Sequence, residues 1–143
     1  MLNIRIATID DSTAICSLNR DALGYDYTLE QTKKRLENVL KFHDHRIWVA
    51  EFDGVVVGYV HGCAYECVYT DSLKDIMAIA VDEAYRGMGI GRALLDTLER
   101  WAKDTGSAGV RLVSGVDREK AHHFYWSCGY VVRKEHKNFI KIF

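Results

Sequence analysis

Residues 86–91 read Arg86-Gly87-Met88-Gly89-Ile90-Gly91, and Arg92 follows directly. A short apolar run, Asp75 to Val81, precedes this segment. A stretch from about Gly89 to Thr105 follows it, with Ala93, Leu94, Leu98, Trp101 and Ala102 on one helical stripe. Strand, glycine loop and helix start, in that order, can grip an anion. Glycine lets the backbone turn sharply and approach a ligand with no Cβ in the way. The first amides of the helix can donate to phosphate oxygens, and the helix dipole adds partial positive charge there. Arg86 and Arg92 can bring full charges to the same anion. The plainer alternative is a tight strand-to-helix connection with no ligand.

Two common phosphate ligands fail the test of spacing. The dinucleotide fingerprint G-x-G-x-x-G finds Gly87 and Gly89 in place, but its third glycine falls on Arg92. No acidic residue closes a second strand at the expected distance. A P-loop needs Gly-Lys-Ser/Thr, which the chain lacks, so ATP chemistry is not indicated.

The elements that must hold this loop can be read along the chain. Its 143 residues suit one domain, 1–143; 48% are hydrophobic, 27% are charged and the net charge is -1, which describes a soluble globular chain. No basic surplus points to nucleic acid. No apolar run of about 18 residues points to a membrane, and Met1 to Asp10 lacks a signal-peptide layout, so a cytoplasmic location is the default. Cys16, Cys63, Cys67 and Cys128 match no zinc or redox spacing, and no metal is expected. Asn3 to Ala7 reads as a strand. Asp10-Asp11-Ser12 offers N-cap oxygens to a helix through about Ala22. Thr28 and Gln31 form a capping-box pattern for a second helix carrying Leu29, Leu36, Val39 and Leu40. The loop between these helices, Leu23 to Tyr27, could border a substrate site. Ile47 to Phe52, the hairpin signal Asp53-Gly54, and Val55 to about Tyr69 make two strands. Asp75 to Val81 reads as a central strand buried on both faces. Val110 to Val116 is a strand and Arg118 to Cys128 a helix. Tyr130 to Lys134 and Phe139 to Phe143 close the chain as a hairpin around Lys137-Asn138. The fold class is α/β, a mixed sheet with helices on its faces.

Two separated segments resemble the GNAT superfamily of acyl-CoA N-acyltransferases. Residues 86–91, after the strand Ile76 to Val81, look like that family's motif A, Q/R-x-x-G-x-G/A. Ala121-His122-His123-Phe124-Tyr125, followed by Cys128-Gly129-Tyr130, looks like its A-x-x-F-Y-x-x-x-G-F/Y segment. The order of elements agrees too, so the resemblance covers nearly the whole chain. One departure lies at Asp82-Glu83-Ala84-Tyr85, where many relatives carry a proline two residues after the strand.

The resemblance implies a splayed mixed sheet of about seven strands flanked by about four helices. It implies acetyl-CoA as co-substrate, with pantetheine along the backbone of Ile79, Ala80 and Val81. It places the pyrophosphate on Arg86, Gly87, Met88, Gly89, Ile90, Gly91 and Arg92. The activity expected is acetyl transfer to a primary amine of a small molecule or peptide, by direct attack in a ternary complex. A non-catalytic CoA-binding protein of the same fold is the alternative. Such a transfer needs a base for the amine, donors for the oxyanion and a proton for the leaving thiolate. Tyr125 matches the family's tyrosine near the CoA sulfur and is the candidate acid; a packing tyrosine is the other reading. Asp75, eleven residues before Arg86, stands at the position where histone-type relatives place their catalytic glutamate and is by that resemblance the candidate base; a strand-end cap or solvated charge is the other reading. A backbone N–H near Ile79 would serve the oxyanion. His61, Cys63, Tyr65 and Cys67 share one strand face and could line the acceptor groove. Adjacent His122 and His123 point about 100° apart, so they do not easily chelate one ion. Dimers are frequent in such folds, with Trp126 and the terminal hairpin as contact candidates for a homodimer.

Overall fold

A computed structural model describes residues 1–143, which divide into two units, Met1–Arg111 and Leu112–Phe143. The first unit holds one five-stranded sheet in the order β1-β2-β3-β4-β5. Its strands are β1 (Leu2–Ile6), β2 (His45–Phe52), β3 (Val55–Tyr65), β4 (Leu73–Val81) and β5 (Gly109–Arg111). β1 to β4 are antiparallel neighbours, and β5 joins β4 in parallel. Asp53 (φ 51°) and Gly54 (φ 83°) form the turn between β2 and β3. Both left-handed residues give the twist that a two-residue hairpin requires.

Period-two alternation sends side chains of the sheet to two different helical layers. Ile47, Val49, Tyr59 and Ala80 join Ile15 and Leu18 of α1 (Ser12–Leu23) and Leu36 of α2 (Leu29–Val39) in one core cluster. On the opposite face lies α3 (Ile90–Asp104), whose buried stripe is Ile90, Leu94, Leu95, Leu98, Trp101 and Ala102. Two glycines on β3 let α3 come close. A Cβ on Gly58 would stand 3.0 Å from the Ala80 carbonyl oxygen and 3.3 Å from Leu94 Cδ1. A Cβ on Gly62 would stand 2.6 Å from Leu98 Cδ1 and 3.2 Å from the Trp101 ring.

Helix starts follow two different devices. Thr28 and Gln31 form the expected capping box: the Gln31 amide donates to Thr28 Oγ1 and the Thr28 amide to Gln31 Oε1, each at 3.1 Å. Asp11 does not cap α1 as expected. Its carboxylate accepts the Thr8 amide at 2.7 Å and both forks of Arg5 at 2.8 Å, while Arg5 also reaches Glu51. The buried Asp11 is thereby held below the usual carboxylate range, first by the Arg5 hydrogen bonds.

The second unit contains α4 (Glu119–Ser127), which ends before Gly129 in the left-handed region (φ 91°). The strand count is five rather than about seven. Residues 130–143 form no ladder, although their alternation suggested a hairpin. A strand exists through its partner, and that turn has no glycine to supply a two-residue hairpin. Arg133, Lys134, Lys137 and Lys141 would also crowd like charges along such a pair. β5 stops at Arg111 rather than Val116, and β3 stops at Tyr65, which leaves Cys67 outside it. β4 is not buried on both faces, since Met77 is 53% exposed.

Gly62→Ala should lower stability by about 1–3 kcal/mol through overpacking against the fully buried Leu98. Thermal unfolding checks this, and an unchanged midpoint would contradict the close packing of α3 on β3.

Candidate active site

β4 is paired on both edges only at its start. Leu73, Lys74 and Asp75 face Gly109, Val110 and Arg111 across the parallel ladder, and there the pairing with β5 ends. The other edge stays paired with β3 to Val81. Near its middle the register slips: His61 faces Ala78, Gly62 faces Ile76, and Met77 is left over as a bulge. The direction of the free backbone groups follows from the ladder. The Asp82 amide donates to the Val57 carbonyl at 2.8 Å, which fixes that pair as hydrogen-bonded. Alternation then makes Ala80–Tyr59 and Ala78–His61 bonded pairs as well. The main-chain groups of Val81 and Ile79 therefore turn away from β3, toward the open edge.

The open edge runs directly into the glycine loop. Asp82 Oδ1 accepts the Ala84 amide at 2.9 Å and shapes a single 3₁₀ turn, Glu83–Tyr85, which the Tyr85 ring anchors 5.7 Å from Phe52. Arg86 Nε donates to the Val81 carbonyl at 3.3 Å, tying the loop to the end of β4. Gly87 (φ 76°) and Gly89 (φ 80°) are left-handed, and a Cβ on either would meet no atom within 4 Å. Gly89 begins α3 without a side-chain cap, so no protein oxygen from that position claims the first-turn amides. Ile90 is the buried anchor behind this exposed loop. The loop thus offers open space, backbone donors and an arginine, which is what a pyrophosphate requires.

The structure brings Ile79, Ala80, Val81 and the loop Arg86 to Arg92 into one continuous stretch. Asp75 lies four residues up the strand from Ile79, roughly 13 Å away at a strand's rise. Its Oδ1 accepts Arg111 at 2.9 Å, and the Arg111 guanidinium also stacks 4.3 Å from the Tyr65 ring centre. Burial raises the Asp75 carboxyl above its ordinary range, against the opposing pull of Arg111.

Tyr125 sits in α4 of the second unit, half-buried, with Phe124 and Tyr130 rings 5.5 and 6.1 Å away. Burial raises its phenol above the ordinary value, with Arg118 acting in the opposite sense. On the same helix His122 Nε2 donates to the Gly115 carbonyl at 2.8 Å. His123 is exposed, and the His122 and His123 rings flank Trp126 at 6.1 and 5.3 Å.

Two arrangements escaped the sequence. His45 Nδ1 and His61 Nε2 are hydrogen-bonded at 2.9 Å, and burial, then His45, pulls the His61 imidazole down to about 4. The Tyr59 hydroxyl donates to Asn19 Oδ1, joining β3 to α1. Both depend on pairings between distant segments, and neither leaves a local motif.

The chain belongs to the acetyltransferase (GNAT) family, whose sequence profile matches residues 13–130. It is 31% identical over 103 residues to an uncharacterized N-acetyltransferase of Chlorobaculum tepidum, covering 72% of this chain and 61% of that one. It is 33% identical over 112 residues to an N-alpha-acetyltransferase of Sulfolobus acidocaldarius, covering 73% and 64%. The chain thus spans less than two thirds of either relative's length. Among solved structures, an aminoglycoside N-acetyltransferase in complex with CoA superposes with a TM-score of 0.88 at 14% identity, over 99% of this chain and 95% of that one. No helix is long and apolar enough to cross a membrane.

The depressed His61 value has a consequence for stability. Unfolding returns the imidazole to its ordinary 6.5, so below that pH the unfolded state binds the extra proton. Stability is therefore held above pH 6.5 and falls as the pH drops toward 4, by roughly 3 kcal/mol at most. Denaturant melts of wild type and His61→Gln across that window should diverge in slope. Parallel curves would remove His61 as the source.

Proposed function

We propose that residues 1–143 form a single N-acetyltransferase domain that moves an acetyl group from acetyl-CoA to a primary amine of a small molecule or peptide. The observation that carries this reading is the outward-facing backbone of Ile79 and Val81, which ends at the glycine loop. An extended amide-containing chain such as pantetheine can bond to an open strand edge as another strand would. The pyrophosphate then falls on Arg86, Gly87, Met88, Gly89, Ile90, Gly91 and Arg92, which supply amides and charge. The similarity in fold to an acetyltransferase solved with CoA supports the same donor.

Transfer is direct. The neutral amine attacks the thioester carbonyl, a C–N bond forms and the C–S bond breaks. An ammonium acceptor loses two protons in all: one ends on the CoA sulfur and the other leaves to solvent. The Ile79 amide faces the open edge and is the proposed oxyanion donor. Tyr125 is the proposed acid for the thiolate, since a phenol is protonated at neutral pH and burial shifts it further in that direction. Asp75 is the proposed base. Its separation from Ile79 requires bridging water, and Oδ2 is the oxygen that the Arg111 bond leaves for it. His61, opposite Ala78, is the nearer competing group by strand register, and its imidazole stays neutral above about pH 4.

A thiol-release assay with acetyl-CoA against polyamines, aminoglycosides, amino acids and peptide N-termini tests the activity. Tight acetyl-CoA binding with no release from any amine would favour a CoA-binding scaffold. Tyr125→Phe should cut kcat by about a hundredfold while CoA affinity holds. Asp75→Asn and His61→Gln, compared by pH–rate profile, identify the base: the variant that removes the acid limb of the profile marks it. Cys128→Ala should keep full rate, and a large loss there would replace direct transfer with an acyl-cysteine route.

A further inference from the structure

We propose that Met77, the extra residue of the β4 bulge, gauges acyl length. Its thioether closes the space beside the reacting carbonyl, so that acetyl fits and longer acyl groups are discriminated against. This rests on the acetyl-transfer reading above, with the Ile79 amide at the oxyanion, and assigns the acyl class of the donor for that site.

The bulge sets Met77 apart from both helical layers. Ile76 faces Gly62, whose missing Cβ would meet Leu98 and Trp101, so Ile76 is buried on the α3 face. Ala78 faces His61 and packs against the core cluster of α1 and α2. Met77 falls between them with no partner on β3. Regular alternation would send it into one layer or the other; the extra residue releases its side chain from that rule. Met77 is accordingly 53% exposed, whereas Leu73, Ile76, Ile79 and Val81 are buried or half-buried.

Its place on the strand points to the acyl group. The β5 ladder ends at Asp75, so Met77 stands beyond the fork, in the stretch whose other edge is open. Ile79 is two residues on, and two residues of chain span at most about 7 Å. An unbranched side chain with three rotatable bonds can cover that distance. The neighbours of Ile79 are Ala78 and Ala80, which contribute one methyl group each. Val81, equally near in the other direction, turns to the α3 face, where its Cγ2 lies beside Gly58 and Leu94. Met77 is left as the flexible apolar wall of this part of β4. Its exposed apolar surface gains from burial, and the acyl chain is the apolar part of the donor at this point.

The test is steady-state transfer from acetyl-, propionyl- and butyryl-CoA to an amine that wild type turns over, with Met77→Ala and Met77→Phe beside it. One methylene in an apolar pocket changes kcat/KM by about tenfold or more, so wild type should favour acetyl over propionyl by about that factor. Met77→Ala should reduce this preference about tenfold, and Met77→Phe should increase it. Loss of fold or of CoA binding acts on all three donors alike and cannot move the ratio in opposite directions. Equal kcat/KM for all donors in wild type overturns the proposal. So does a ratio that the two substitutions move the same way or not at all. If no amine releases thiol from any donor although acetyl-CoA binds, the acetyl-transfer reading has failed. Calorimetry with the three acyl-CoAs then still reads the gauge: propionyl-CoA bound more weakly than acetyl-CoA by wild type, and equally by Met77→Ala, supports it, and the same ratio in both proteins overturns it.

Discussion

The parallel pairing of β4 with β5 ends after three residues, and the site depends on that early ending. A strand paired on both edges has no backbone groups left for a ligand. Because the ladder stops at Asp75 and Arg111, the later part of β4 keeps one edge bonded to β3 and presents the other. The Met77 bulge falls in this same stretch, where it changes the local twist and ends the even alternation. An open edge would be costly if buried without partners. It is tolerable where water or a ligand can reach it.

Packing behind the edge keeps β4 in place. α3 lies close to β3 because Gly58 and Gly62 have no side chains, and its buried leucines fill the space they leave. The same helix begins at the glycine loop. Its close approach therefore also sets where the loop stands relative to the end of β4. The loop is joined to the strand a second time by Arg86 at the Val81 carbonyl. Sheet packing and anion site are thus one piece of geometry rather than a scaffold with a separate loop attached.

What could be read in the sequence was local. The glycine loop, the Thr28–Gln31 capping box and the Asp53-Gly54 turn each use residues within a few positions of one another, and each stands as expected. Features that depend on distant partners were not legible. Asp11 looked like a cap because its neighbours suit one, yet Arg5 on β1 takes its carboxylate. His45 and His61 meet only because β2 and β3 pair in a particular register. Residues 130–143 alternate like strands, but alternation specifies a face and not a partner, and no ladder forms there. The loop and its strand could therefore be named from sequence, whereas the polar groups around them could not.

A three-residue strand should not hold its register by ladder bonds alone, since each contributes only about 0.5–1.5 kcal/mol net. β5 is held by polar staples at both ends. Before it, the Ala108 amide donates to the Ser72 carbonyl at 2.8 Å, and Lys74 Nζ donates to Ser107 Oγ at 2.7 Å. Lys74 is buried, and its charge rests 4.8 Å from the Trp101 ring centre on the α3 face. At the other end Arg111 bonds to Asp75 and covers the Tyr65 ring. Neighbouring residues of β4 thus secure β5 from opposite faces of the sheet. Asp75 is consequently more than a candidate base. It is the last fastening before the strands part, so a substitution there tests proton transfer and the position of the fork together. The separate readouts of pH profile and acetyl-CoA affinity are needed because of that double role.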